Sequence, residues 1–354
     1  MKLALTLCAA VSGGAAYATD ILHVPGDAAS IQLAIDQAAE GDTVVVGAGV
    51  WNETINLKGK AIVLRSAEGP EETVLDGRGL PGSIVHCVEG ESRSTRIEGF
   101  TLRGGNGDPS IHGPGNTVGG ALLIVGSSPI ISDCIFKDNT SELQGGAVYC
   151  ARDAHPTFEG CRFTGNTAEK GGAIFCLLSN SRFDSCRFDS NFAQFSGGAV
   201  FNSSRCSPKF IMCDFERNQA LYNGGAIYDY ESNGSLSRCT FNRNSASFKG
   251  GAIYSAYRSD AVLAECLFMT PADDIAGRKG VIPGSMIQNG ACCLGEGCIV
   301  ADKAACLDAG GSFVGNGSVC ETTITRCDTG VRGDLDGDGI VDRKDMAVLM
   351  MLWK

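Results

Sequence analysis

The sequence predicts an all-β solenoid, a coil of short parallel strands in which each turn buries its apolar face only against its neighbours. Three observations carry this. A Gly-Gly-Ala phrase occurs six times, as GGALL at Gly119, GGAVY at Gly145, GGAIF at Gly171, GGAVF at Gly197, and GGAIY at both Gly224 and Gly250, with a spacing of 26 or 27 residues. A second phrase runs between the copies: Cys134-Ile-Phe136-x-x-Asn139, then Cys161/Phe163/Asn166, Cys186/Phe188/Asn191, Cys213/Phe215/Asn218, Cys239/Phe241/Asn244 and a decayed Cys266-Leu-Phe268. Each period holds two short strand candidates, such as Ala226-Ile-Tyr228 and Cys239-Thr-Phe241, set among Gly, Ser, Asn and Pro, and lacks the helical periodicity that helical repeats require.

The columns follow in order. If each repeat makes one full coil, equivalent strands lie about 4.8 Å apart and like residues stack along the axis. Gly-Gly fits a sharp corner that needs positive φ and close backbone approach. The Cys and Phe of Cys-x-Phe are two residues apart and share a face, which suits a dry interior. The Asn column reads as a turn ladder, because Asn tolerates left-handed geometry and its amide can bond the next rung. Cysteines one rung apart come within the usual disulfide range of about 4.4 to 6.8 Å between Cα atoms, but in-register neighbours point the same way, so buried free thiols are the expectation. Cys150 and Cys176 form a second short column of the same kind.

These repeats resemble the GGA(I/L/V) and FxxN repeats of right-handed, single-stranded parallel β-helices of pectin-lyase-like fold, of the polymorphic-outer-membrane-protein type, over residues 19–269. The beginning is similar too: His23-Val-Pro-Gly-Asp27, a helical stretch from Ser30 to Glu40, Gly41-Asp42-Thr-Val-Val-Val, then Gly49-Val-Trp51-Asn-Glu53. The apolar Ile31, Leu33, Ala34, Ile35 and Ala38 suit an N-terminal capping helix that plugs the open end of the coil.

Composition sets the outer bounds. The chain has 354 residues, 44% of them hydrophobic, with 48 glycines and a net charge of −11. Without a run of Lys or Arg, that charge argues against nucleic acid and anionic membranes as partners. Lys2, the apolar Leu3 to Val11, and Ala16-Tyr17-Ala18 make a signal-peptide pattern over residues 1–18, so a secreted or cell-surface protein is expected. No later stretch approaches the roughly 18 apolar residues of a transmembrane segment.

Past the repeats, residues 270–290, with Pro271 and Pro283, read as a linker. Residues 291–330 crowd Cys292, Cys293, Cys298, Cys306, Cys320 and Cys327 into a Gly-rich stretch with few core-forming residues, which in an exported chain predicts a disulfide module. A zinc site is the weaker reading, since no histidine lies nearby. Residues 331–354 hold the sharpest motif: Asp334, Asp336, Asp338, Asp342 and Asp345 at positions 1, 3, 5, 9 and 12, Gly339 at position 6 and the carbonyl of Ile340 at position 7. That is the spacing of a Ca2+ loop, with oxygen ligands suited to a hard cation. Its terminal Asp resembles a single dockerin type I repeat. The resemblance implies a cohesin-like partner, although dockerins usually carry two such repeats.

The pectin-lyase-like resemblance implies polysaccharide, and the residues must decide whether the chain cuts or binds it. Glycosidase chemistry needs two converging carboxylates, and lyases of that fold use an Asp-rich calcium site with an Arg base. Asp133, Asp229 and Glu265 are instead scattered among unlike residues at equivalent positions and read as a solvated face. The Gly49-x-x-x-Glu53 stretch superficially resembles a pectinesterase element. His23, His86, His112 and His155 sit in unrelated contexts and read as loop or surface residues. If the residue after each Gly-Gly-Ala faces the core, then Tyr149, Phe175, Phe201, Tyr228 and Tyr254 face outward as an aromatic strip on which sugar rings could stack, unless loops cover the column or it points inward. A Gly-rich insertion, Gly104 to Gly119, is a second candidate. The expected function is a non-catalytic, calcium-binding extracellular module for polysaccharide. The alternatives are a dockerin-bearing polysaccharide lyase or glycoside hydrolase, and a structural or adhesive spacer, which a covered aromatic column would favour.

Overall fold

The computed structural model describes residues 19–109, 116–269, 275–277, 290–294, 297–301 and 312–313. The predicted leader, most of the predicted linker, and the whole predicted Ca2+ loop from Asp334 to Asp345 lie outside these residues. Three parallel sheets form the coil, with 10, 9 and 9 strands, and every strand pairs with its counterpart one repeat away. Each regular turn contributes one strand to each sheet: the strand after Gly-Gly-Ala, such as Val148–Ala151, then Thr157–Glu159, then the Cys-x-Phe strand Arg162–Thr164. A fourth, four-stranded sheet appears only in the later turns, from Thr167–Lys170 to Ser245–Ala246.

The repeated residues dictate this geometry column by column. In each Gly-Gly pair the first glycine has positive φ, as at Gly171 (φ 65°), while a Cβ on the second, from Gly120 to Gly225, would strike a carbonyl oxygen of the next turn, 2.2 Å away between Gly172 and Gly198. Turn residues before each Cys, from Asp133 to Glu265, share φ of 51–61°, which explains why Asp, Gly, Ser, Met, Arg and Glu alternate there: the backbone turns left-handed and the side chains leave the coil. The interior is stacked phenylalanine. Phe136, Phe163, Phe188, Phe215, Phe241 and Phe268 run at 4.7–4.9 Å with planes 4–7° apart. A second ladder, Phe158–Phe183–Phe210, meets the first edge-to-face.

The six cysteines of the Cys-x-Phe column are buried and free, as are Cys150 and Cys176. Their thiols bond backbone carbonyls, as Cys186 Sγ does to Phe158 O at 3.4 Å, and burial pushes the Cys134 thiol up to about 12. The Asn ladder is satisfied at every step: Asn191 Nδ2 donates to Phe163 O and to Asn218 Oδ1, both at 2.9 Å, and Asn191 Oδ1 accepts from the Asn166 amide and backbone N–H.

Helix α1 spans Ile31–Gln37, capped by Ser30, and buries Ile31, Ala34 and Ile35 against the first strands. It is shorter than the stretch to Glu40 that the sequence suggested, because Ala38 leaves the helix in an extended conformation. Farther on, Gly290–Leu294, Gly297–Ala301 and Ser312–Phe313 pair antiparallel. Among the Cys-rich residues this fixes the backbone of Cys292, Cys293 and Cys298 only; Cys306, Cys320 and Cys327 lie outside the described residues.

Candidate ligand-binding face

The Gly-Gly-Ala sheet alternates as its sequence requires. Leu122, Val148, Ile174, Val200, Ile227 and Ile253 point into the core, and the residue after each points outward. The predicted aromatic strip therefore exists as an outward column, separate from the main core, with Tyr149, Phe175, Phe201, Tyr228 and Tyr254 stacked at 4.6–5.7 Å. As a sugar platform it needs correction. Phe175, Phe201 and Tyr228 keep only 3%, 7% and 9% of their surface, and Tyr149 and Tyr254 are half-buried. Rings this close, with planes 4–31° apart, cover much of one another's faces. Burial also raises the pKa of the Tyr149 and Tyr228 hydroxyls.

Exposed aromatics flank this column instead, at positions the sequence reading passed over. Phe195, Tyr222 and Phe248 lie two residues before their Gly-Gly corners and stack at 4.7 and 5.2 Å, with exposures of 37%, 43% and 68%. A Cβ on Gly197 would sit 3.1 Å from the Phe201 Cα, so Phe195, two residues upstream of that glycine, runs beside the covered column. On the other side, at the strand ends, Tyr230 stacks on Tyr257 at 6.1 Å. Cations close these stacks: Lys170 Nζ lies 5.5 Å from the Phe195 centroid, and the Arg258 guanidinium 5.1 Å from that of Tyr257. Inner rings present edges, and the end ring Phe248 is the most exposed of them. The spacing of Phe195, Tyr222 and Phe248 by 27 and 26 residues was visible in the sequence, but the aromatic ends one rung earlier, at Glu169, so the column lacked the regularity of the repeat.

Carboxylates that could supply chemistry are spread over the coil. Glu53 Oε1 and Oε2 accept from the backbone N–H groups of Ile31 and Gln32, both at 2.9 Å, so the element resembling a pectinesterase ties down the start of helix α1. Asp76 accepts from Arg78 and Arg103, and the Arg78 hydrogen bond above all holds its carboxyl far below the usual range. Asp189 and Glu216 share Arg187 and Arg217. Asp133 and Glu265 occupy the left-handed turns. Asp229, expected on a solvated face, is completely buried inside the coil. Among the described residues no cluster of three His, Cys, Asp or Glu could hold a metal ion.

His86 departs from the loop-or-surface reading. Its Nε2 lies 2.6 Å from Asp108 Oδ2, and Asp108 also accepts from Ser83 N at 3.1 Å. Burial opposes the imidazolium, but the carboxylate outweighs it and raises the His86 pKa. Asp108 belongs to the Gly104–Gly119 insertion, where Asp108–Pro109 pairs antiparallel with Thr117–Val118, so the pair clasps the insertion to the strand Val85–Cys87. His112 lies outside the described residues.

The family model described as the right handed beta helix region matches residues 87–268 and 148–329, more than half of the chain. The chain belongs to the right-handed β-helix family. Three solved structures are similar in fold. Pectin methylesterase from carrot aligns with a TM-score of 0.52 at 11% identity, covering 75% of this chain and 88% of that one. Pectin methylesterase from Aspergillus niger gives 0.47 at 10%, with 75% and 91% covered, and PemA from Erwinia chrysanthemi 0.39 at 12%, with 81% and 86% covered. No curated protein matches this chain. Identity at this level conveys the right-handed coil and nothing about residues.

Proposed function

We propose that this β-helix is a secreted or cell-surface, non-catalytic module that binds a neutral polysaccharide across Phe195, Tyr222, Phe248, Tyr230 and Tyr257. The observation that carries the reading is Phe248, 68% exposed at the end of a stack kept in register over three turns. A sugar ring packs on an aromatic face, and this is the face most open to it. The net charge of −11 favours a neutral polymer over a polyuronate. The fold shared with the carrot pectin methylesterase supports polysaccharide as the ligand class, and the engagement of Glu53, Asp76, Asp189 and Glu216 in structural contacts, with Asp229 buried away from any ligand, supports binding without cleavage.

Affinity electrophoresis of the full chain through gels loaded with neutral polysaccharides tests this. Phe248→Ala should weaken retardation about tenfold, the loss of one stacking contact, and Phe195→Ala less. Equal retardation of wild type and Phe248→Ala would refute the site. The covered column and the cation-closed stacks favour a second reading, a structural or adhesive spacer, for which no polysaccharide retards the chain. The Asp334–Asp345 loop is proposed as a Ca2+ site that could dock a cohesin-like protein; calorimetric titration with calcium, abolished by Asp336→Ala together with Asp338→Ala, checks the metal.

A further inference from the structure

The Gly104 to Gly119 insertion is fastened to the coil by two unlike arms. Its return strand, Thr117–Val118, is held by backbone: Leu143 N donates to Thr117 O and Gly119 N to Gln144 O, both at 3.0 Å. Gly119 O also accepts from the buried Ser83 hydroxyl. The outgoing arm leads through Gly104 and Gly107, both at positive φ, to Asp108–Pro109. Gly105 N donates to Asn139 Oδ1, and its carbonyl accepts from Thr140 N. Beyond Gly105, among the described residues, the arm is tied to the coil wall through the Asp108 carboxylate, which accepts from Ser83 N at 3.1 Å and meets His86 Nε2 at 2.6 Å. A Cβ on Gly82 would lie 2.7 Å from Asp108 Oδ1, so the missing side chain lets the carboxylate seat there.

His86 belongs to the outward column of the Gly-Gly-Ala sheet. In register that column begins Asn56, His86, Leu123, Tyr149 and continues through the stacked rings. The Asp108 arm therefore lies across the column's N-terminal end, and the His86 side chain keeps 16% exposure beneath it. Among the described residues the elements packed on the ring bring it one charge, that of Asp108: the flanking strands Ile55–Asn56 and Leu122–Val125 and the segment Gly82-Ser83-Ile84 carry none.

We propose that His86 is a pH-operated fastener: as imidazolium it straps the Asp108 arm of the insertion across the start of the outward column, and its deprotonation releases that arm while the return arm stays in place. A charge-assisted hydrogen bond is roughly twice as strong as a neutral one, so a neutral ring keeps only a weaker hold on the carboxylate. Burial works against the imidazolium, but the Asp108 hydrogen bond and charge, with a backbone hydrogen bond to Ile55, outweigh it and raise the His86 pKa. The hold is therefore complete below the ordinary histidine value of about 6.5 and is lost as pH rises through the raised folded value. Gly104 and Gly107 supply the hinge, since their backbone turns where other residues are strained. The inference concerns access to the column and does not rest on what the column binds.

Hydrogen exchange of the full chain at about pH 6 and about pH 9, corrected for intrinsic rates, tests it. The amides of Ser83, Gly107 and Asp108 should lose about fivefold in protection at the higher pH, while those of Gly119 and Leu143 keep theirs. The loss should disappear in His86→Gln, and in Asp108→Asn protection should be low at both pH values. Equal protection of Ser83 at the two pH values in wild type would overturn the proposal, as would a loss that persists in His86→Gln or extends to Gly119 and Leu143. If Asp108→Asn fails to fold, wild type and His86→Gln decide the matter.

Discussion

Two polar columns run inside this coil, and they are solved differently. Asn139, Asn166, Asn191, Asn218 and Asn244 repeat one residue at one position, and the amides of the inner members bond the turn before and the turn after. On the Gly-Gly-Ala sheet, Asn202, Asp229 and Ser255 are three different residues on consecutive turns, and each keeps an unmet atom. A solenoid satisfies buried polarity by repetition, since stacking at the strand spacing places every donor against an identical acceptor. Where repetition lapses, that match is lost.

The largest expected effect comes from breaking the regular column. Asn191→Ala removes four hydrogen bonds in a dry interior, those of its Nδ2 to Phe163 O and Asn218 Oδ1 and those its Oδ1 accepts from the Asn166 amide and backbone N–H, and should cost about 4 kcal/mol in urea unfolding. A cost below about 1 kcal/mol would mean that the ladder decorates the fold rather than supports it.

A pH titration of stability sharpens the other side. Burial raises the Asp229 pKa to about 7 from the ordinary 3.8, with the Asn202 hydrogen bond pulling the opposite way. The folded protein then keeps a proton that the unfolded chain releases, so the contribution of Asp229 to stability falls as pH rises from about 4 to 7 and levels off above. Asp229→Asn should flatten that limb. An unchanged slope would place the titration elsewhere. The smallest effect belongs to Ser255→Ala, which removes an orphan instead of creating one and should stay within about 1 kcal/mol of wild type in the same unfolding assay.

The coil itself was legible because its physics is periodic. Gly-Gly, Cys-x-Phe and Asn each recur where the backbone turn or the dry interior favours them, and free thiols followed from the parallel register. The face was legible only by half. Pleat alternation put Tyr149, Phe175, Phe201, Tyr228 and Tyr254 outside, but alternation says nothing of how neighbouring rings and Gly-Gly corners cover a column. Asp229 was misread for a related reason: it shares its column with Cys150 and Cys176, which marked the position as interior, yet charge suggested solvent. The His86–Asp108 clasp joins residues 22 apart across an insertion and left no periodic trace. Glu53, too, revealed its role only through its distance to the start of helix α1.

The most direct measurement of the central claim combines binding with product analysis: the full chain is incubated with a panel of neutral and acidic polysaccharides, with calcium and with chelator, and pellet and supernatant are assayed by sedimentation and mass spectrometry. The account predicts that the chain co-sediments with a neutral polymer and releases no oligosaccharide or methanol. Release of soluble products from any member of the panel would contradict it and make one of the carboxylates a catalyst.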